Sequence, residues 1–190
     1  ICLTGSIFEK DEGDGTKPLE PIYLYGLGKH FTYEVFEYLA SQKNIVLGKF
    51  VIANPFGPME EPKFTTFLIK TWYKGEIPEI RTPDYVRDNV HVTLLAKVYA
   101  EFVEKLFTST KNIKINPSQY IGKQGDFGKK FALEMEKRLN IKCPINFAEQ
   151  KKFPEAKERY NTDKIDPAKY NWNEDEAWDE LAKFYKGHYS

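Results

Sequence analysis

The stretch NIVLGKFVIANPFGP, residues 44–58, decides the fold of this protein. From about Val46 to Ala53 it is almost continuously apolar, and Pro55 and Gly57 then end the run. A short apolar run of this kind is typical of a strand buried on both faces, as in a parallel sheet covered by helices. We therefore predict a central parallel strand here.

Helical and strand-like segments alternate on both sides of this strand. Before it, the apolar run ICLTGSIF (residues 1–8) predicts a strand, residues 9–21 predict a surface loop, and residues 27–42 predict an amphipathic helix. After it come a helical segment, the short strand RDNVHV (residues 87–92), a striped helix and the strand NIKIN (residues 112–116). This order predicts an α/β fold with a parallel sheet and crossover helices.

The pattern changes after the third strand. A helix near residues 127–139, the strand-like CPINFAE (residues 143–149) and a final helix capped by Asn173 predict a smaller α+β lobe. The inward-facing residues of that final helix are Trp178, Leu181 and Tyr185. The predicted division is a Rossmann-type portion at residues 1–58 and 87–117, and a lobe at residues 59–86 and 118–190.

The composition argues against several classes of partner. Among 190 residues, 28 basic side chains balance 28 acidic ones, so no broad positive field favours nucleic acid. No apolar run approaches the ~20 residues that span a bilayer. Cys2 and Cys143 form neither a disulfide framework nor a metal-ligand cluster, which suits a reducing cytoplasm. We therefore expect a cytoplasmic protein with no metal, nucleic acid or membrane as a partner.

Tyr25 and Lys29 lie four residues apart where the predicted helix begins, a spacing that could serve catalysis. With 12 tyrosines and a lysine-rich composition, roughly 1.5 such pairs are expected by chance. The chain has two, and the other joins Tyr160 to Lys164 in a segment rich in Asn and Asp. The spacing alone is therefore no argument for function, and the surrounding residues must decide.

The chemistry of the first pair depends on those surroundings. Residues i and i+4 of a helix share a face, so the Lys29 ammonium can lie beside the Tyr25 phenol and stabilise its phenolate form. A general acid or base needs such help. The carboxyl ends of parallel strands face the ligand crevice, where a hydroxyl donor could hold the reacting oxygen. The polar and turn residues at these strand ends are Thr4, Ser6, Asn54 and Pro55.

Four motifs together resemble a known family. TGSIFE (residues 4–9), YGLGK (25–29), NPFGP (54–58) and RDNVHV (87–92) follow the order and rough spacing of the extended short-chain dehydrogenase/reductases. Members of this family epimerise, dehydrate or reduce nucleotide sugars. ERYNTDKIDPAKYNW (158–172) is similar to the family's late segment, so the resemblance covers nearly the whole chain. It implies the second half of a Rossmann-type sheet plus a small C-terminal substrate-binding lobe.

The resemblance also implies roles for the strand-end residues. Tyr25 would be the catalytic acid/base, and Lys29 would bind the nicotinamide ribose and stabilise the phenolate. Thr4 would hydrogen-bond the sugar hydroxyl or carbonyl, with Ser6 as its neighbour on the same turn. Pro55 would lie beside the nicotinamide of NAD or NADP.

Substrate contacts follow from the same resemblance. Asn54 would lie by the phosphates of the nucleotide sugar, and Arg87 and Arg159 would clamp its diphosphate, which suits the guanidinium fork. Gly5 and Ser6 replace the residues that mark dehydratases and combined epimerase-reductases of the family, which leaves 4-epimerisation or 4-keto reduction. The apolar stripe of the helix at residues 27–42 would pack in the core or form a homodimer.

The departures from the family concern the cofactor. The glycine-rich turn that holds the dinucleotide pyrophosphate is absent, and so is the acidic residue that binds the adenosine ribose. We therefore expect the chain to correspond to the C-terminal two-thirds of such an enzyme and to bind dinucleotide poorly by itself. The alternative is a non-catalytic module that binds a nucleotide sugar, or acts in assembly, and retains the fold.

Overall fold

A computed structural model gives the structure of residues 1–189. Within that range the helices are α1 (Tyr23–Lys43), α2 (Phe64–Tyr73), α3 (Val92–Thr108), α4 (Gln124–Leu139) and α5 (Glu174–Tyr189). A 3₁₀ helix at Pro167–Tyr170 precedes α5. No helix in residues 1–189 combines the length and apolar character needed to cross a bilayer.

The strands are short, and several are only two residues long. In chain order they are β1 (Cys2–Ser6), β2 (Asp14–Gly15), β3 (Gly48–Ile52), β4 (Asn54–Phe56), β5 (Glu79–Ile80), β6 (Val86–His91), β7 (Ile113–Ile115), β8 (Pro117–Ser118), β9 (Tyr120–Lys123), β10 (Asn146–Phe147), β11 (Arg159–Tyr160) and β12 (Asp163–Lys164). The predicted strand CPINFAE is thus reduced to β10, which pairs with β5.

The central sheet has the order β1-β3-β7, and all its strands are parallel. Alternate residues of a strand point to opposite faces of the sheet, and a helix covers each face. Phe50 of β3 packs edge-on against Tyr99 and Phe102 of α3. Its neighbour Lys49 lies over the ring of Tyr33 of α1. The predicted α/β fold with a parallel sheet and crossover helices is confirmed.

The strand that we predicted from about Val46 to Ala53 corresponds to β3, and the segment directly after it, Asn54–Phe56, forms a strand of a second sheet. β3 belongs to the central sheet, whereas β4 pairs in parallel with β6, and β6 pairs with β9 in antiparallel fashion. The chain therefore changes sheets at Ala53. This change brings the ends of β1 and β4 to one side of the molecule, where the candidate site lies.

Two hydrophobic clusters stabilise the fold. One lies between α3 and the central sheet, around Phe50, Leu94 and Phe102. The other joins α2, α4 and α5 and includes Phe131 and Trp178. The predicted cap of α5 is confirmed, because Asn173 Oδ1 accepts backbone N–H groups of residues 175 and 176. Trp178, Leu181 and Tyr185 are buried as expected. The division of the chain into two portions stays a prediction.

The apolar stripe of α1 faces solvent. Phe31 and Val35 are 58% and 56% exposed, and Leu39 is also exposed. Gly26 and Ala40 are the buried residues of this helix. Core packing, one of our two expectations for the stripe, is therefore wrong for these side chains. Contact with a second copy stays a prediction.

Two buried ionisable groups of β6 give opposite pH dependences of stability. Burial raises the pKa of Asp88 to about 6, although the backbone N–H of Gln119 donates to its carboxylate. Burial lowers the pKa of His91 to about 4. His91 caps α3 through Nδ1, which accepts the Thr93 N–H, and its ring packs against Phe56. Both side chains are almost completely buried.

We expect Asp88→Asn to steepen the loss of stability on acidification. In the wild type, Asp88 ionises in the unfolded state at a lower pH than in the folded state, so its contribution to stability falls as pH rises from ~4 to 6. His91 is protonated in the unfolded state at a higher pH than in the folded state, so its contribution falls as pH drops from ~6.5 to 4. The two effects largely cancel. The variant keeps only the histidine effect, so its free energy of unfolding should fall by about 2 kcal/mol more than that of the wild type between pH 7 and 4.5. Urea unfolding at both pH values measures this difference, and parallel profiles would contradict it.

Candidate functional site

A cleft of about 740 Å³ opens at the carboxyl end of β1. Residues from the ends of β1 and β4, the first turns of α1 and the segment before α2 line it. These residues include Thr4, Ser6, Phe8, Tyr25, Lys29, Asn54, Pro55, Glu60 and Lys63. The structure therefore brings six residues that we predicted from sequence into one cleft, namely Thr4, Ser6, Tyr25, Lys29, Asn54 and Pro55.

Lys29 connects α1 to the end of β1. Its Nζ donates to the backbone carbonyl of Thr4 at 2.8 Å and lies 3.5 Å from the Thr4 hydroxyl. Tyr25 lies one turn earlier on α1, and its side chain is 58% exposed. An ammonium, a phenol and an aliphatic hydroxyl thus line the same cleft. These groups can hold a hydroxyl or carbonyl and exchange a proton with it.

Gly26 sets the distance between α1 and the segment that follows β1. A Cβ atom at this position would lie 2.1 Å from the Phe8 carbonyl oxygen, which is far inside van der Waals contact. The same carbonyl accepts the Ile22 N–H at 2.9 Å, immediately before the first turn of α1. Glycine at residue 26 therefore lets α1 approach β1 closely enough for Lys29 to reach Thr4.

Ser6 is held by its own turn. Its buried hydroxyl accepts the backbone N–H of Phe8 at 3.2 Å, and its own N–H donates to Glu9 Oε1 at 2.7 Å. Thr4 is the more accessible of the two hydroxyl residues. Of the pair that we predicted from sequence, Thr4 is therefore better placed to contact a ligand.

A buried charge network stabilises the loop after β1, which we predicted to be a surface loop. Lys49 Nζ lies 2.6 Å from carboxylate oxygens of both Glu9 and Glu12. Lys114 and Asn116 also donate to Glu12. Burial alone would raise the pKa of Glu12, but the hydrogen bonds from the two lysines outweigh it, and the pKa is lowered. The surface-loop prediction is wrong for Glu9 and Glu12, which are buried.

A second compartment of about 390 Å³ adjoins the first and shares Phe8, Asn54 and Pro55 with it. Asn54 of β4 is in register with Asn89 of β6. Asn89 is buried, lines this compartment, and its Nδ2 has no partner within residues 1–189. A buried donor without a partner is costly, so a ligand atom that accepts from it would be favoured.

Sequence reasoning missed Asn89 and Gln124 as lining residues. Gln124 lines the same compartment, and its Oε1 also has no partner in the described part of the chain. Asn89 could have been found, because it lies two residues after Arg87 on one strand and so shares its face. Gln124 could not, since it comes from α4 and only the tertiary fold brings it close.

Arg87 lines the second compartment, as its predicted contact with a diphosphate requires. Its Nη1 donates to the backbone carbonyls of Val86 at 2.9 Å and Lys157 at 3.2 Å. Its Nη2 lies 3.2 Å from Glu155 Oε2, and its guanidinium stacks 4.2 Å from the centre of the Tyr85 ring. Burial lowers the pKa of Arg87, and the Glu155 carboxylate opposes that effect.

Arg159 occupies a different environment. It is not among the residues lining either compartment in residues 1–189, and it is only 1% exposed. Its guanidinium donates to the backbone carbonyls of Glu20 and Glu9 and so holds the loop after β1. The predicted contact of Arg159 with a diphosphate finds no support in this position.

Comparison with known proteins identifies the fold. No protein-family model and no curated sequence matches the chain. Among solved structures, a UDP-N-acetylglucosamine 4-epimerase from Methanobrevibacter ruminantium, in complex with UDP-N-acetylmuramic acid, superposes with a TM-score of 0.71 at 17% identity over 98% of the chain. A UDP-glucose 4-epimerase from Brucella ovis in complex with NAD gives 0.70 at 14% identity over 99%.

A third solved structure is similar to the same extent. It is a tyrosine-to-phenylalanine mutant of UDP-glucuronic acid 4-epimerase from Bacillus cereus in complex with a fluorinated UDP-glucuronic acid and NAD, with a TM-score of 0.70 at 16% identity over 99% of the chain. This chain spans 62–64% of the length of these three proteins. It therefore has the fold of the UDP-sugar 4-epimerases over about three-fifths of their length.

Proposed function

We propose that this chain forms the substrate-binding and proton-transfer part of an NAD(P)-dependent enzyme that modifies a UDP-sugar, by 4-epimerisation or by 4-keto reduction. The single observation that carries the proposal is the cleft at the end of β1. There Lys29 contacts Thr4, and Tyr25 lines the same wall. The names of the structural neighbours favour epimerisation of a UDP-sugar.

Proton transfer is the task of Tyr25 in this proposal. The sugar hydroxyl at the reacting carbon donates its proton to the Tyr25 phenolate while the carbon loses a hydride, and Tyr25 returns the proton when the hydride comes back. Thr4 orients the same sugar oxygen. The Lys29 ammonium, which is anchored to the Thr4 carbonyl, supplies positive charge in the cleft that Tyr25 also lines.

The cofactor would supply the hydride acceptor, and the residues of the cleft suit only part of it. Lys29 has donors left for ribose hydroxyls, and Pro55 forms an apolar wall for a nicotinamide ring. The glycine-rich turn that would hold the pyrophosphate is absent from the sequence. In residues 1–189, β1 pairs on one side only, with β3. We propose that a separate cofactor-binding portion adds to the open side of β1.

The second compartment would hold the nucleotide diphosphate. Arg87 supplies a guanidinium, and Asn54 and Asn89 lie side by side on neighbouring strands. Charge-assisted hydrogen bonds from arginine suit phosphate oxygens, and an unpartnered amide donor would gain a hydrogen bond from the same anion.

The exposed apolar stripe of α1 would pack against a second copy in a homodimer.

Two observations favour a second candidate function, a non-catalytic module that binds a nucleotide sugar. The chain lacks the glycine-rich turn, and Ser6, one of the expected catalytic hydroxyl residues, is bonded within its own turn. Such a module would bind UDP-sugars without supporting hydride transfer. Turnover in the presence of the cofactor-binding portion separates the two functions.

Calorimetric titration of the 190-residue chain tests the shared part of both functions. We expect UDP-sugar to bind, NADH to bind weakly, and Arg87→Met to weaken UDP-sugar binding at least tenfold, because a charge-assisted contact to phosphate is lost. The matched control is Arg138→Met. Arg138 forms its ion pairs with Glu134, Asp175 and Asp179, outside the cleft. Equal effects of the two substitutions would contradict the assignment of Arg87 to the diphosphate. Tight NADH binding would contradict the expectation that the chain lacks the main cofactor-binding site.

A further inference from the structure

We propose that Glu155 is a built-in competitor for the anion-binding site on Arg87. Its carboxylate accepts a hydrogen bond from the guanidinium nitrogen that a nucleotide phosphate would use. The carboxylate must therefore move away when the nucleotide binds. The inference rests on the proposed function and adds a device that limits the affinity of that site.

The ion pair has the geometry of a replaceable contact. Arg87 Nη2 and Glu155 Oε2 are 3.2 Å apart, which is longer than the ~2.7–2.9 Å of strong charge-assisted hydrogen bonds. The contact uses one oxygen and one nitrogen, so it lacks the bidentate arrangement that makes such pairs strong. Both residues line the second compartment. Glu155 therefore occupies space and a donor that an anionic ligand would need.

Arg87 keeps its position without Glu155. Its side chain is 8% exposed, and two backbone carbonyls, those of Val86 and Lys157, hold Nη1. The Tyr85 ring supports one face of the guanidinium. Removal of the carboxylate would therefore leave an oriented guanidinium with Nη2 free for a ligand. Such a preformed donor suits phosphate recognition.

Glu155 is the more exposed partner of the pair. Its side chain is 27% exposed and can rotate toward solvent. Its other contacts are long: the Tyr23 hydroxyl lies 3.5 Å from Oε1, and its backbone N–H lies 3.4 Å from the Tyr85 hydroxyl. Residues 148–157 contain no helix or strand. Displacement of the carboxylate therefore breaks little other structure.

The charge of the compartment makes the competition consequential. Arg87 is its one cationic side chain within residues 1–189, and Glu155 is its one carboxylate. The other polar liners are uncharged, including Asn54, Asn89 and Gln124. A diphosphate thus meets a compartment whose charges cancel while Glu155 remains. Without that carboxylate, the site carries one unopposed positive charge.

The test compares Glu155→Gln with wild type by titration of the full chain with UDP and with uridine. We expect the variant to bind UDP about tenfold more tightly and uridine unchanged, since only the diphosphate competes with the carboxylate. The matched control is Glu149→Gln, which neutralises an exposed carboxylate of the same segment that pairs with Lys151. In an Arg87→Met background, Glu155→Gln should no longer change UDP binding.

Each outcome decides the inference. UDP binding that is unchanged or weaker in Glu155→Gln overturns the competitor role while leaving the proposed function in place. Equal tightening of UDP and uridine, or the same gain in Glu149→Gln, shows a general structural or charge effect and also overturns it. Failure of wild type and variant alike to bind UDP or a UDP-sugar overturns both the competitor role and the proposed function. Thermal unfolding of each variant verifies that it folds.

Discussion

Replacement of Tyr25 by phenylalanine is expected to reduce turnover of the UDP-sugar by about 10²–10⁴-fold while binding of the UDP-sugar survives. The substitution removes one oxygen atom from a side chain that lines the cleft, and it leaves untouched Arg87, which lines the second compartment where we propose that the diphosphate binds. The sugar hydroxyl then has no group to take its proton as the hydride leaves. The loss should therefore appear in kcat, with little change in the dissociation constant.

The assay requires the protein that carries this chain together with the proposed cofactor-binding portion. The chain supplies its own matched control, because Tyr160 and Lys164 repeat the same spacing. Tyr160 lies on β11, which pairs with β2 and does not line the cleft in residues 1–189. Tyr160→Phe should keep wild-type turnover. Full activity of Tyr25→Phe would remove the catalytic assignment, and equal losses in both variants would indicate a folding defect.

Replacement of Lys49 by methionine is expected to lower the free energy of unfolding by about 3–5 kcal/mol. The Lys49 ammonium lies 2.6 Å from carboxylates of both Glu9 and Glu12, and all three side chains are buried. Its loss leaves Glu9 without an ionic partner, whereas Glu12 keeps Lys114. A buried carboxylate without a counter-charge is costly because little water reaches it. Urea unfolding at neutral pH measures the change.

Two further variants make this prediction specific. Lys142→Met breaks an exposed ion pair with Glu136 and should lower the free energy of unfolding far less than Lys49→Met does. Adding Glu9→Gln to Lys49→Met removes the stranded carboxylate and should recover part of the stability. Equal costs for the two lysine substitutions would mean that the buried network contributes no more than a surface pair.

The sequence predicted the central sheet well, for a physical reason. β1 and β3 come from apolar runs that read as buried strands, β7 comes from NIKIN, which also reads as a strand, and the segments between them repeat apolar residues at helical spacing. These patterns are local, since each reflects which side chains of one segment must leave water. The cap of α5 by Asn173 was predictable for the same reason, because the capping bonds reach only residues 175 and 176.

Predictions that depended on distant partners were less successful. The loop after β1 reads as a surface loop because it is acidic and rich in Gly and Pro, yet Lys49 of another strand draws Glu9 and Glu12 inside. The stripe of α1 reads as a face for the core or for a homodimer, and Phe31 and Val35 face solvent because no element in residues 1–189 packs on them. Local patterns show that a side chain can be buried, and they do not show what will cover it.

The sequence by itself determined the parallel α/β framework, because that follows from short-range spacing, and its motifs pointed to residue types that could transfer a proton. Only the tertiary structure decided which of those residues meet. It brought Lys29 to the Thr4 carbonyl and placed Arg87 in the compartment beside the cleft, with Glu155 on its guanidinium. It also directed the Arg159 guanidinium to backbone carbonyls of the loop after β1, to which it donates hydrogen bonds. The reason is that chain segments far apart in sequence supply the partner of each of these groups, and only folding sets the distances between them.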